Sequence, residues 1–258
     1  MVIIGLWVRM RLVESTTFQK TAQQGKIKKV PLGEVFAKNW RELIIGTFAM
    51  LATYVLFYLM TAFTLSYGTK ASDDAAAPGL GFTYTNFVLM MIFGVVFFGA
   101  FTLLSGPMAD KLGRRRTLLW VTGAIIVFGL VFDVFLLPQD DPQFTGALTQ
   151  MFLVFGFTLM GLTFGPMGAL LPELFPTNTR YTGSAIAYNV SSILGASVAP
   201  IIALALWAAG HGDPWMVGIY LSVMSVLTFI SLLFVKERKD ATLEELDELL
   251  EDPEGIVG

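Results

Sequence analysis

The chain has no cysteine and a single histidine, His211. Without thiols there is no disulfide framework, no thiol catalysis and no cysteine-based zinc site. His211 stands alone in a glycine-flanked turn, where a solvated loop residue is expected. Enzyme motifs are missing as well: there is no HExxH, no G-x-S-x-G and no nucleotide-binding loop. No enzyme activity, metal site or cofactor is expected. Charged residues make up only 14% of the chain, with a net charge of −3, and the basic ones are scattered through loops. No face is basic enough for a nucleic-acid partner.

What is abundant is apolar. Hydrophobic residues reach 55% and the mean hydropathy is +0.67, above the ~45–50% apolar share of a soluble domain. The chain is therefore a polytopic membrane protein whose first partner is the lipid bilayer. Six apolar runs have the length of about 20 residues that a spanning helix needs: 43–67, 87–106, 117–137, 147–171, 181–207 and 214–235. No Lys or Arg falls inside any of them. Of the 17 Lys and Arg residues, only Lys70 lies in a loop that alternation places outside, whereas those outer loops hold Asp73, Asp74, Asp140, Asp141 and Asp213. This asymmetry predicts a cytoplasmic chain start and C-terminus. Three spans starting inside followed by three starting outside is the arrangement of inverted repeats in transporters.

Residues 1–8 are apolar but too short to span, and are expected to be the end of a truncated transmembrane helix. Residues 9–42 form a cytoplasmic central loop. Within it Leu32, Val35, Phe36 and Trp40 recur at helical spacing, which fits an interfacial helix as well as a plain linker. Residues 43–235 are the transmembrane bundle and 236–258 an acidic cytoplasmic tail. In that tail Thr242 and Glu245 form a capping box for a short helix, expected to be solvated or to dock on the Lys26 to Lys29 cluster.

Between the second and third spans stands Gly106-Pro-Met-Ala-Asp110-Lys-Leu-Gly113-Arg114-Arg115-Arg116. Its arginines are too costly to bury in hydrocarbon, at about 2.5–3.5 kcal/mol each on insertion scales, so it must be a tight loop. Gly106 and Gly113 permit close approach and positive φ, and Asp110 is placed to bond Arg114. The pattern G-x-x-x-D-[RK]-x-G-R-[RK]-[RK] resembles the signature loop of the major facilitator superfamily, with Met108 where that family more often has Leu. The resemblance implies that Asp110 and Arg114 lock the cytoplasmic side shut, the Asp meeting a helix N-terminus and an Arg.

A second stretch closes the fourth span: Pro172-Glu173-Leu-Phe-Pro176-Thr177-Asn-Thr-Arg180-Tyr-Thr-Gly183. It is similar to the metabolite:proton symporters of that superfamily, the group with permeases for shikimate, 2-oxoglutarate, citrate and proline or betaine. Pro172 and Pro176 are expected to end one helix and Thr177 or Asn178 to cap the next. Glu173 and Arg180 then sit at facing helix ends, where a pair can form and break. The resemblance makes them partners of the Asp110 loop in a cytoplasmic gate. It covers residues 1 to about 237 and implies an all-α fold, the six-helix C-terminal half of a twelve-helix transporter, preceded by the end of another helix.

Polar stripes interrupt two of the spans. Tyr54, Tyr58 and Thr61 share a face of the first, and Ser184, Tyr188, Ser191, Ser192 and Gly195 share one of the fifth. Together with Asn189 they predict a cavity for a small-molecule substrate. Small residues also mediate helix packing in membranes, the better fit for Ser191, Ser192, Gly195 and Ser197. Gly156, Gly161, Gly165, Pro166 and Gly168 allow close approach or a kink in the fourth span. Asp133 is the one acid within a span, about 6 Å from its outer end at ~1.5 Å per residue. Outer-rim solvation or pairing is the expectation there, with proton coupling the alternative.

The sequence thus points to half of a secondary transporter moving a small organic acid or zwitterion with protons by alternating access. Its partner is expected to be an N-terminal six-helix half or a second copy of the chain. The alternatives are a non-transporting membrane scaffold or subunit, and an orphan half that works only as a dimer.

Overall fold

The computed structural model describes residues 32–75 and 77–235. The truncated helix end at 1–8, the Lys26 to Lys29 cluster and the acidic tail at 236–258 lie outside the described residues.

Among the described residues the architecture is all-α, with six long rods and no strand. The first helix runs Trp40–Thr69, the second Tyr84–Leu112, the fourth Pro142–Glu173, the fifth Arg180–Ala209 and the sixth Trp215–Leu233. These five are long and apolar enough to cross a membrane. The third, Arg114–Leu130, leaves helical backbone at Val131 and resumes as Phe132–Leu136. The break follows a close approach of the third and sixth helices, where a Cβ on Gly218 would lie 2.3 Å from the Gly129 carbonyl. A short helix, Leu32–Lys38, precedes the first rod; Val35 is buried while Leu32, Phe36 and Trp40 are exposed.

Local chemistry sets the ends. Asp141 accepts from Gln143 N at 2.8 Å and Pro142 occupies the first turn of the fourth helix, where its missing N–H costs nothing. The turn between the second and third helices is a single residue, Gly113, with φ +98°. Its N–H bonds Ala109 O at 2.8 Å and its carbonyl accepts from Thr117 N at 3.0 Å, so it closes one helix and opens the next. Only glycine takes that backbone conformation without strain.

The expected loop at Gly106 is therefore corrected: residues 106–112 are helical, and a Cβ on Gly106 would meet nothing within 4 Å. Pro107 is tolerated in this last part of the helix. The capping expectation is corrected too. The residue preceding the fifth helix is Thr179, not Thr177 or Asn178, and its hydroxyl donates to Asn39 Oδ1 at 3.1 Å instead of capping.

Glycine brings the rods together. Cβ atoms on Gly161 and Gly165 would clash with the Phe98 carbonyl and Ser105 Oγ of the second helix, and one on Gly156 with Met60 of the first. Hydroxyls on the sixth helix add cross-helix bonds, Ser222 Oγ to Ile126 O at 2.9 Å and Ser231 Oγ to Ile45 O at 2.7 Å. The first helix is the centre of the bundle, with 67% of its most apolar stretch buried; the second and fifth have 11% and 22%. Those two rods carry wide apolar faces that the described residues leave uncovered.

Two π-helical turns, Leu59–Phe63 and Ile193–Val198, interrupt the first and fifth helices. π-turns inside α-helices are rare and concentrate at functional sites. Here they fall in the two rods on which the sequence shows polar stripes.

Candidate functional site

At the Gly113 end of the bundle three charged groups meet. Arg114 Nη2 and Nε donate to Asp110 Oδ1 at 3.1 and 3.3 Å, and Arg114 Nη1 pairs with Glu173 Oε1 at the close of the fourth helix. One guanidinium thus joins the ends of the second and fourth helices. The expected partner of Glu173 was Arg180. Glu173 pairs with Arg114, and Arg180 Nε donates to Phe175 O at 3.1 Å.

Arg115 has a role that sequence alone does not reveal. Its Nε and Nη2 donate to Leu232 O and Leu233 O at 2.9 and 3.0 Å, capping the last carbonyls of the sixth helix. A cation there also opposes the negative end of the helix dipole. Asp110, Gly113, Arg114, Arg115 and Glu173 therefore form one connected assembly across the second, third, fourth and sixth helices. Arg180 stands at the neighbouring turn. Gly106 is one helical turn before Asp110 and contributes no contact of this kind.

Behind the charges lies a cavity of about 320 Å³ between the first, fourth and fifth helices. Its walls include Met50, Thr53, Phe164, Leu171, Ser184 and Tyr188. Of the residues predicted for a cavity, Ser184 and Tyr188 line it. Tyr54 is buried directly behind, its ring edge-on to Tyr188 with centroids 5.5 Å apart and an interplanar angle of 85°.

The rest of the stripe diverges. Tyr58 packs edge-on against Phe57 at 5.1 Å, and Thr61 Oγ1 donates to Phe57 O of its own helix at 2.7 Å. The π-turn at Leu59–Phe63 accounts for Thr61, because a wider turn rotates it off the face that 3.6-residue periodicity assigns to it. Asn189 is exposed, with Nδ2 on Ala185 O at 2.7 Å, and Ser184 Oγ donates to Arg180 O at 2.6 Å. Gly195 is a packing residue, since a Cβ there would stand 2.3 Å from Tyr54 Cβ.

Among the described residues the cavity walls hold no charged side chain. They offer aromatic faces, methionine and leucine surfaces and a few hydroxyls, suited to a small ligand bound by shape and neutral hydrogen bonds. The apolar wall residues were missed from sequence because Met50 or Leu171 looks no different from any other apolar residue of a spanning helix.

Comparison with known proteins gives the following. The family model described as sugar (and other) transporter matches residues 9–250. The inner membrane metabolite transport protein YhjE of Escherichia coli (strain K12) is 46% identical over 244 residues, covering 94% of this chain and 53% of that protein. The proline/betaine transporter of Salmonella typhimurium is 28% identical over 254 residues, covering 94% of this chain and 47% of that protein. A citrate-proton symporter of Salmonella typhi is 29% identical over 176 residues, covering 67% and 38% respectively. The chain spans about half the length of the first two relatives. No solved structure matches it significantly.

Proposed function

Because the chain belongs to the sugar (and other) transporter family, within the major facilitator superfamily, we propose that it is the C-terminal six-helix half of an alternating-access transporter. Its cargo is a small organic acid or zwitterion, and transport is coupled to protons. The single observation that carries this reading is the Arg114 bridge between Asp110 and Glu173, set directly beside an aromatic cavity. A breakable ion bridge at one end of a ligand-sized cavity is what a gate requires.

The bridge ties the second and third helices to the end of the fourth, and the cavity lies between the first, fourth and fifth. Breaking it frees the fourth helix, which forms one cavity wall, to move relative to its neighbours. The uncovered faces of the second and fifth helices are where the other six-helix half seats, so that the two bundles rock about the cavity. The basic loops support a cytoplasmic position for this gate, and the likeness to an inner membrane protein of Escherichia coli supports a bacterial inner membrane. Proton coupling is supported by the relationship to a citrate-proton symporter. Asp133, only partly buried near the far end of the third helix, belongs to the outer rim in this scheme.

Tyr188→Phe tests the cavity. The change removes one hydroxyl at nearly constant volume, so apparent substrate affinity in the complete transporter weakens about fivefold, the size of one neutral hydrogen bond. Unchanged affinity with lowered stability would mean that Tyr188 is a packing residue.

A further inference from the structure

The sixth helix carries hydroxyls at Ser222, Ser225, Thr228 and Ser231, and Thr228 differs from the rest. Ser225 Oγ satisfies itself on Leu221 O of its own helix, while Ser222 and Ser231 each donate to one carbonyl of a neighbour. Thr228 Oγ1 donates to Phe48 O at 2.7 Å and also accepts from Ala52 N at 2.9 Å.

Phe48 and Ala52 are i and i+4 in the middle of the first helix, normally each other's partners. A mid-helix N–H points along the axis at the carbonyl one turn back, so a hydroxyl from another helix bonds both groups only by entering that turn. Thr228 is 1% exposed, so no bulk water competes for the position.

The turn it enters backs onto the cavity. At roughly 100° per residue, Met50, Thr53 and Tyr54 lie about a third to half a turn round the helix from the edge holding Phe48 and Ala52. Met50 and Thr53 line the cavity, and Tyr54 meets Tyr188 and the backbone of the π-turn at Gly195.

Resting on the cavity reading above, we infer that Thr228 is a positioning residue for the substrate site, although it touches no part of the cavity. Its hydroxyl, wedged between Phe48 and Ala52, lengthens the side of the first helix that faces the sixth. The opposite side becomes the concave face of that bend, and its curvature sets Thr53 into the wall and Tyr54 against Tyr188. The neighbouring bond from Ser231 to Ile45 fixes the preceding turn, so the bow is localised at Phe48 to Ala52.

The absence of native cysteine supplies the test. Thr53→Cys places a single thiol in the cavity wall, and its rate of reaction with N-ethylmaleimide in detergent reports how tightly the wall is held. With Thr228 intact the rate is slow. In the Thr228→Ala background the turn closes, the bow relaxes and labelling accelerates about fivefold, the size of one lost neutral hydrogen bond. Thr228→Ser, which keeps the hydroxyl, returns the slow rate; Thr228→Val, which keeps the volume and loses both bonds, labels as fast as Thr228→Ala. A control thiol at exposed Ser66 on the same helix reacts alike in every background, which separates repositioning from unfolding.

Equal rates with Thr228 intact and with Thr228→Ala, or a Thr228→Ser rate as fast as that of Thr228→Ala, would overturn the inference. Protection of the thiol at position 53 by glycine betaine or citrate is a separate readout of the cavity. Its failure would count against the cavity reading and leave the Thr228 result standing.

Discussion

Glu173→Gln is expected to damage this protein more than Asp110→Asn, although the sequence pattern draws attention to the aspartate. The two carboxylates share Arg114 but occupy different surroundings. Asp110 is 62% exposed and four residues from Arg114 across the Gly113 turn; an exposed pair of that kind contributes about 0.3–0.5 kcal/mol. Glu173 and Arg114 are 26% and 30% exposed, and a charge-assisted bond in so partly desolvated a setting contributes about 1.5–3 kcal/mol. A double-mutant cycle separates the two. Single and paired changes at Glu173, Asp110 and Arg114 are purified in detergent and melted. With about 2–4 °C per kcal/mol for a chain of this size, the Glu173 change lowers the midpoint by several degrees and the Asp110 change by about one. Coupling to Arg114 exceeds about 1 kcal/mol for Glu173 and stays below about 0.5 for Asp110. Equal couplings, or a larger one for Asp110, would refute the ranking of the bridge by burial.

Three further outcomes follow from the geometry. Arg115→Lys does not rescue Arg115→Ala, because one ammonium cannot reproduce the fork on Leu232 O and Leu233 O; both lower the melting midpoint, by about 1–2 kcal/mol of stability. Gly195→Ala places a methyl 2.3 Å from Tyr54 Cβ and 3.1 Å from Tyr54 C, so the first and fifth helices separate at a cost of about 1–3 kcal/mol, read as lost thermal stability. Gly113→Ala forces a side chain into φ +98° and costs about 1–3 kcal/mol, whereas Gly106→Ala, with open space around its Cβ, leaves the midpoint unchanged.

The positions of the rods were legible because a run of about 20 apolar residues has few alternatives, and Gly113 was legible because a one-residue reversal between helices needs positive φ. The Asp110 and Arg114 pair is four residues apart and so visible in the sequence. Glu173 in the same bridge was less legible, since nothing in the chain order tells whether residue 114 or residue 180 approaches it. Arg115's partners are carbonyls 117 and 118 residues away, and backbone acceptors leave no trace in composition. The cavity was half legible. Tyr54, Tyr188 and Ser184 stand out as polar residues in apolar spans, whereas Met50, Phe164 and Leu171 do not. Thr61 is not among the lining residues, because an α-helical period was applied across a π-turn that no residue type announces. Thr228 carries no signal in the sequence, because its importance lies in which turn of another helix it enters.

The most direct measurement of the proposed function is uptake by reconstituted vesicles under an imposed proton gradient, offered a panel of small carboxylates and betaines. The transporter completed to the length of its relatives accumulates a member of the panel and loses that activity with Glu173→Gln, while the 258-residue chain alone inserts and accumulates nothing, because one bundle has no counterpart to rock against. Failure of the completed protein on every solute would contradict the substrate class, and robust accumulation by the chain alone would contradict the half-transporter reading in favour of a working dimer.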